Sequence, residues 1–455
     1  MKSNRRRFLK SSAAATAAVS APQLWMPRLG RAGDANNRPR CLAIGVGGSR
    51  GRFNRGGTIA RQAAQFADLI AVCDVDELHA KEFSEKLGGK PKTYFDYREA
   101  LAAEKPDIVT IGTPDHWHVP IAIAAMRAGC DVYCEKPLTL TIDEGKQICR
   151  VVKETGRVFQ VGTQQRSEYG HAFLRSIALV QGGYLGDNIK AHVAIGGAPV
   201  GGPFQPTTAP DDVHWDFWVG PARKAPYMEE RRKMFRWFLE YSGGKMTDWG
   251  AHHIDIAQWA IGCDHSGPVE VSGEGKFPPL VPENFDFAKF FAGEATLPHA
   301  FNAAHEFHIE LKFANDRVIT VHHHYRSEDG ETDFGNGILF EGSEGRIFVN
   351  RGRLTGKPVE ELSDADKQRL DEAVAKLYKG KPLHGHMANF FDCLEDRSQP
   401  VADVFTHHRT MTSCHLCNIT LMLGRPVKWD PDKESFIGDD QATALMQRPS
   451  RKDYL

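Results

Sequence analysis

The sequence predicts two consecutive folds: an α/β domain on a doubly wound parallel sheet, then an α+β domain with a large, mostly antiparallel open sheet and helices. Three observations predict this. Residues 40–161 alternate short apolar runs with helical patterns, the signature of parallel strands joined by helical crossovers. A glycine-rich turn follows the first apolar run. Beyond residue 163 the alternation gives way to period-two runs and, near the end, three helical stretches. With 455 residues, 41% hydrophobic and 25% charged, the chain has ordinary globular composition and is long enough for two domains. A net charge of -1 gives no electrostatic case for a nucleic-acid partner or an anionic surface. No stretch beyond the N-terminus is apolar for long enough to span a bilayer.

The N-terminus differs in kind from the rest. Arg5-Arg6-Arg7-Phe8-Leu9-Lys10 matches a twin-arginine export pattern, and an alanine-rich run and small residues at Gly30 to Ala32 follow. Residues 1–35 are therefore expected to be an export signal, residues 36–163 the first domain and residues 164–455 the second. The expected location is the periplasm or another exported compartment. Nine cysteines, an odd number, do not suggest a disulfide framework. Cys414 and Cys417 have a redox-like spacing but lie in an apolar-periodic run, where packed core residues are expected.

In the first domain, residues 40–46 read as a strand entering Gly47-Gly48-Ser49-Arg50-Gly51, with a helix following through residue 66. Strand, glycine turn and helix are the context in which backbone N–H groups approach a pyrophosphate, the Rossmann arrangement. Gly45 and Gly47 are in register with that fingerprint, but Arg50 stands where its third glycine belongs. The second strand, residues 68–73, ends at Asp74, placed to accept ribose hydroxyls. A carboxylate there favours NAD, while Arg50 and Arg52 leave room for NADP. Helices at 77–87 and 96–103 and a short strand at 92–95 follow. A buried strand at 107–112 then ends in Thr113-Pro114-Asp115-His116-Trp117-His118, before a helix at 120–128. The strand at 131–134 ends in Glu135-Lys136-Pro137, a helix covers 142–154, and a strand at 158–161 leads to Arg166. In a parallel sheet the loops after these strands open on one edge, so Lys136, His118 and the glycine turn should share one crevice.

In the second domain a helix is expected at 168–180 and a strand at 188–196. A long irregular stretch, 197–244, carries eight aromatic residues from Trp215 to Tyr241, suited either to stacking on sugar rings or to a satellite apolar cluster. Residues 243–261 then read as one helix in which Asp248 and His252, four apart, face the same way. A carboxylate beside an imidazole can fix its tautomer and raise its basicity. No third histidine completes a metal site at a supporting spacing. Strands are expected at 269–276, 286–294, 301–313, 317–325, 337–340 and 346–349, with His322, His323 and His324 on sheet faces. Helices are expected at 364–378, 385–394 and 407–423, with the tail from residue 427 wrapping the surface.

Taken together and in order, the glycine turn, Asp74, Thr113-Pro114 with His118, Glu135-Lys136-Pro137 and the Asp248-x-Gly250-x-His252-x-x-Asp255 run resemble the Gfo/Idh/MocA family of sugar and polyol oxidoreductases, in an exported branch. The resemblance implies a nicotinamide dinucleotide over the first domain, held by Gly45, Gly47, Gly48, Ser49, Arg50, Asp74, Thr113, Pro114, His118, Glu135 and Lys136. It implies a sugar or polyol substrate bound by Lys136, Arg166, Asp248 and His252. Lys136 would contact both ligands, His252 would be the acid/base and Asp248 its partner. It also implies a homodimer or homotetramer paired through the open sheet. An exported member has no soluble nicotinamide pool to draw on, so a tightly held cofactor is expected. That favours either a two-substrate sugar oxidoreductase or a transient keto-sugar used to cleave or epimerise a glycoside, although an intact Lys136 weighs against the glycosidase branch. A non-catalytic sugar-binding relative is the third reading.

Overall fold

The computed structural model describes residues 38–451 and Tyr454, so the expected export signal lies outside the described residues. The first domain runs β1 (Arg40–Ile44), α1 (Arg55–Ala63), β2 (Asp68–Cys73), α2 (Glu77–Lys86), β3 (Lys92–Tyr94), α3 (Tyr97–Glu104), β4 (Ile108–Ile111), α4 (Asp115–Arg127), β5 (Asp131–Cys134), α5 (Ile142–Thr155) and β6 (Phe159–Val161). Its six strands are ordered β3-β2-β1-β4-β5-β6 and are parallel throughout. The central strands β4 and β5 are buried along their whole length, as strands covered on both faces must be. Helix α4 starts at Asp115, five residues earlier than expected, because Pro120 sits inside the helix rather than at its start. His116, Trp117 and His118 therefore belong to its first turns and not to a loop.

The second domain continues with α6 (Ala172–Gln181), β7 (Lys190–Ala194), α7 (Trp215–Val219), α8 (Glu229–Lys233), α9 (Gly244–Asp248), α10 (Gly250–Ala260), β8 (Glu270–Lys276), α11 (Phe287–Ala292), β9 (Glu306–Lys312) and β10 (Val318–His322). Then come β11 (Tyr325–Arg326), β12 (Asp333–Phe334), β13 (Gly337–Gly342), β14 (Gly345–Val349), β15 (Leu354–Thr355), α12 (Lys357–Glu360), α13 (Asp364–Leu377), α14 (His386–Asp396), α15 (Val404–Leu423), β16 (Val427–Asp430), β17 (Ser435–Phe436) and α16 (Asp440–Ala444). A nine-stranded sheet is ordered β15-β14-β13-β7-β10-β9-β8-β16-β17. All its pairs are antiparallel except β7 with β10. Helices α6, α10 and α15 cover one face and build the larger core, which contains Cys414 and Cys417.

Five further expectations need correction. The strand expected over 317–325 ends at His322, and the chain resumes as β11, paired with β12 in a separate two-stranded sheet, so His323 and His324 lie between strands and not on a sheet face. Residues 286–294 form helix α11, because Asp286 caps it by accepting from Lys289 N–H and Phe287 and Phe290 bury at helical spacing. The strand expected from residue 301 begins at Glu306, since Phe301 turns into an aromatic cluster and Asn302 accepts from Leu239 N–H. The single helix expected over 243–261 is two, α9 and α10, meeting at Trp249. The tail does not merely wrap the surface: β16 joins the nine-stranded sheet against β8 and buries Trp429.

The long segment 197–244 is mostly the satellite cluster. Trp218, Met228, Phe238 and Tyr241 pack with Phe301. Its polar backbone also reaches the first domain. Val213 bridges Asp76 at the tip of β2, and His214 N–H donates to the carbonyl of Val75. Helix α14 crosses further still, burying Met387, Phe390 and Leu394 against Cys41, Ile59 and Ile108 of the parallel sheet.

Burial sets the pH response of this fold. It pushes the imidazoles of His116, His407 and His415 down to about 3, and those of His118, His253 and His386 down to about 4. Each is protonated in the unfolded chain below about pH 6.5 but not in the folded one, so each withdraws stability as pH falls through that value. Burial acts oppositely on Asp115 and Glu144, whose carboxyls it pushes up to about 7. Those two keep a proton that the unfolded chain sheds, and they are outnumbered. The melting temperature should therefore fall steadily from pH 7 to pH 5, at about 1.4 kcal/mol per pH unit for each net proton. A thermal-melt series that is flat or rising over that window would contradict the account.

Candidate active site

The loops after β1, β2, β4, β5 and β6 open on one edge of the parallel sheet, and two connected clefts lie there. The first runs over the glycine turn. Gly45 and Gly47 have φ of +76° and +65°, conformations that side chains rarely adopt, and a Cβ at Gly45 would lie 2.7 Å from the backbone of Thr113. The carboxylate of Asp74 accepts from the Gly47 and Asp76 N–H groups, at 2.9 and 3.0 Å, and so fixes the turn while lining the cleft. Its far wall is aromatic, with Trp117, Phe217 and Trp218. Thr113 lines both clefts, and its buried hydroxyl has no partner among the described residues.

The missing third glycine is not missing. The turn runs to Asn54, and Gly56 in the first turn of α1 meets β1 and β4: a Cβ there would lie 1.8 Å from the carbonyl oxygen of Gly45. Close helix–strand packing, the job of the third glycine, has moved downstream. Gly48 and Ser49 do not face the cleft. Gly48 packs against His79, and the N–H and hydroxyl of Ser49 donate to Glu82. Arg50 does face it, but its guanidinium is held by Asp212 and Asp76.

The second cavity lies beyond Thr113. Lys136, at the end of β5, donates from Nζ to the carboxylate of Asp248 at 2.6 Å and to its main-chain carbonyl at 2.8 Å. Burial pushes the Asp248 carboxyl up, but Lys136 and then Arg236 overcome this and hold it well below the usual carboxylate range. Asp248 thus partners Lys136. It makes no hydrogen bond to His252, because the break at Trp249 separates the helix carrying each residue. His252 borders the same cavity, and its Nδ1 is buried with no hydrogen-bond partner among the described residues. Burial, then the charges of Lys136 and Arg351, depress it well below an ordinary imidazole, so it is neutral at pH 7.

Three other expected contacts serve the frame instead. Arg166 is buried and makes a two-pronged pair with Asp255, both bonds at 2.7 Å, so it is not available to a substrate. Glu135 faces the cavity but is occupied by Arg55 at 2.8 Å and Gln164 at 3.0 Å. His118 is buried, with its ring nitrogens 2.6 Å from the carbonyl of Pro137 and 2.9 Å from that of Thr113. It locks the two loops that carry Lys136 and Thr113 to each other. Pro114 lines the first cleft as expected. Sequence reasoning missed Lys245, Arg351, Arg236 and Trp249, which also line the second cavity. Only Trp249 and Lys245 had a local signal, their place within the Asp248 run.

The glycine assignment is testable. Gly56→Ala should destabilise the protein by at least about 2 kcal/mol, since the overlap is with backbone. Gly51→Ala, whose nearest Cβ contact is 3.3 Å, should stay within about 0.5 kcal/mol. Comparable melting shifts for the two variants would refute it.

Residues 40–163 match the family described as "Oxidoreductase family, NAD-binding Rossmann fold", GFO_IDH_MocA. Residues 200–277 and 328–455 match its "C-terminal alpha/beta domain". D-glucoside 3-dehydrogenase of Escherichia coli (strain K12) is 33% identical over 109 residues, 22% of this chain and 31% of that protein. The scyllo-inositol 2-dehydrogenase (NAD(+)) of Bacillus subtilis (strain 168) is 28% identical over 239 residues, 52% of this chain and 57% of that protein. The chain thus spans about a third to just over half of the length of these relatives. The fold is similar to that of the WlbA dehydrogenase from Bordetella pertussis, solved in complex with NADH and UDP-GlcNAcA. The TM-score is 0.57 and identity 17%, over 86% of this chain and 99% of that one.

Proposed function

Because the chain belongs to the Gfo/Idh/MocA oxidoreductase family, we propose that it oxidises or reduces a CH–OH carbon of a sugar, polyol or glycoside with NAD. The observation that carries this reading is the convergence of the Lys136 ammonium and a neutral His252, whose Nδ1 has no partner among the described residues, on one cavity, joined at Thr113 to the cleft over the glycine turn.

The residues fit the cofactor. The glycine turn and the N-terminus of α1 suit its pyrophosphate, Asp74 its ribose and the aromatic wall its adenine. NAD supplies the hydride acceptor when bound. In the oxidation direction His252 takes the carbinol proton as the C–H hydride leaves, and the ammonium of Lys136 stabilises the developing alkoxide. Asp248 aims Lys136 by accepting from its Nζ with both its carboxylate and its main-chain carbonyl. Its role is positioning through the lysine, not through the imidazole as the sequence suggested. Lys136→Ala and His252→Ala should each lower turnover at least about 100-fold while NAD affinity stays within threefold. Steady-state kinetics should also show that Lys136→Ala/Asp248→Asn is no slower than Lys136→Ala alone. Additive losses would return Asp248 to His252.

A held cofactor is favoured by the segment that closes over the first cleft. Arg232 pairs with buried Asp76, Arg50 ties Asp76 to Asp212, and Phe235 lines the cleft from the second domain. Residues 1–35 favour export by the twin-arginine route. Retention and export together favour a second reading, in which a transient keto-sugar is formed and reset on one cofactor to cleave or epimerise a glycoside. Full-length protein recovered after export should elute as a dimer or tetramer and, on denaturation, release about one NAD or NADH per chain. A protein without nucleotide that binds free NAD weakly would refute retention.

A further inference from the structure

The second cavity is unusually cationic. Most of its positive groups have a carboxylate partner: Arg55 has Glu135, Lys136 and Arg236 share Asp248, and Lys233 has Glu229. Three lack one among the described residues. Arg52 is exposed, and its charge is solvated. Lys245 and Arg351 are partly buried and form no ion pair.

Arg351 is held in a way that leaves its hydrogen-bonding edge unspent. Its guanidinium carbon lies 4.8 Å from the ring centre of Tyr169 and 4.6 Å from that of Trp249. The buried Nε has no partner among the described residues. Aromatic rings orient a guanidinium plane without using its N–H fork, which matches the two oxygens of a carboxylate or phosphate. The ammonium of Lys245 lies 6.0 Å from the same Trp249 ring. Desolvation disfavours both charges; Asp248, already paired with Lys136, and Glu168 near Arg351 offset this only in part and from beyond ion-pair distance, so an anionic ligand would relieve the rest.

The position identifies which ligand. Neither residue lines the cleft over the glycine turn, so the dinucleotide phosphates do not account for them. Both border Trp249, whose ring is 5.8 Å from that of His252. We propose that the sugar carries an anionic group, a carboxylate or a phosphate, that docks on Arg351 and Lys245. This rests on the second cavity being the substrate site.

Calorimetric titration of NAD-loaded, full-length protein at physiological ionic strength tests it, with NADH absorbance followed in parallel. The probes are D-glucuronate and D-glucose 6-phosphate, each against D-glucose, with myo-inositol as a second neutral. At least one anionic sugar should bind tenfold or more tightly than D-glucose, and which one does separates carboxylate from phosphate. Arg351→Gln and Lys245→Gln should each remove most of that advantage, read within each variant as the ratio of anionic-sugar to D-glucose affinity. Equal or tighter binding of the neutral sugars, no binding of either anion, or an advantage that survives both substitutions overturns the proposal. Arginine-dependent anion binding without hydride transfer to NAD would sustain it and sink the oxidoreductase reading instead.

Discussion

One ion pair joins the two domains where chemistry is expected. Lys136 stands at the end of a buried parallel strand, and Asp248 closes a short helix of the other domain. Both side chains are largely removed from water, so each would be expensive alone and together they offset much of that cost. The arrangement makes the position of α9 relative to β5 an electrostatic requirement as well as a packing one. It also determines what the next helix can do. With Asp248 committed to the lysine, His252 on α10 is left neutral and without a carboxylate among the described residues, so its ring is free to accept a proton but nothing beside it raises its basicity.

The first domain was legible because its signals are local. Apolar runs of four to six residues, bounded by glycine, proline or aspartate, locate β1 to β6 within a residue or two. Asp74 and Lys136 follow from strand ends alone. The misreadings share a cause: partners distant in sequence decide what a polar residue does. Arg166 looked available until Asp255, 89 positions away, claimed it, and Glu135 looked like a ligand contact until Arg55 did. Spacing put Asp248 and His252 on one helix face, but no periodicity forecasts a break at Trp249. Arg351 was invisible for the same reason, since a turn arginine acquires meaning only from the two rings around it.

The aromatic stretch 197–244 illustrates how one segment serves two ends. Its large side chains mostly bury in their own cluster with Phe301, which gives an irregular chain a core of its own. That core holds Arg232, Phe235 and Arg236 over the neighbouring domain. The backbone bridge from Val213 to Asp76 anchors the same segment at its other end. Specific polar contacts to the first domain thus come from a segment with its own packed cluster rather than from an unpacked loop.

Helix α14 has a consequence for how the protein is made. Met387, Phe390 and Leu394 complete a face of the parallel sheet whose strands end more than two hundred residues earlier. While the ribosome is still adding the second domain, Cys41, Ile59 and Ile108 lack that cover. The amino-terminal half then emerges as a nascent chain with an apolar face showing, and it stays so until almost all of the message has been read. A chaperone that shields that face during synthesis, or a pause that holds the chain short of residue 386, would bear directly on yield. The order of the gene therefore runs against the order in which the molecule can close.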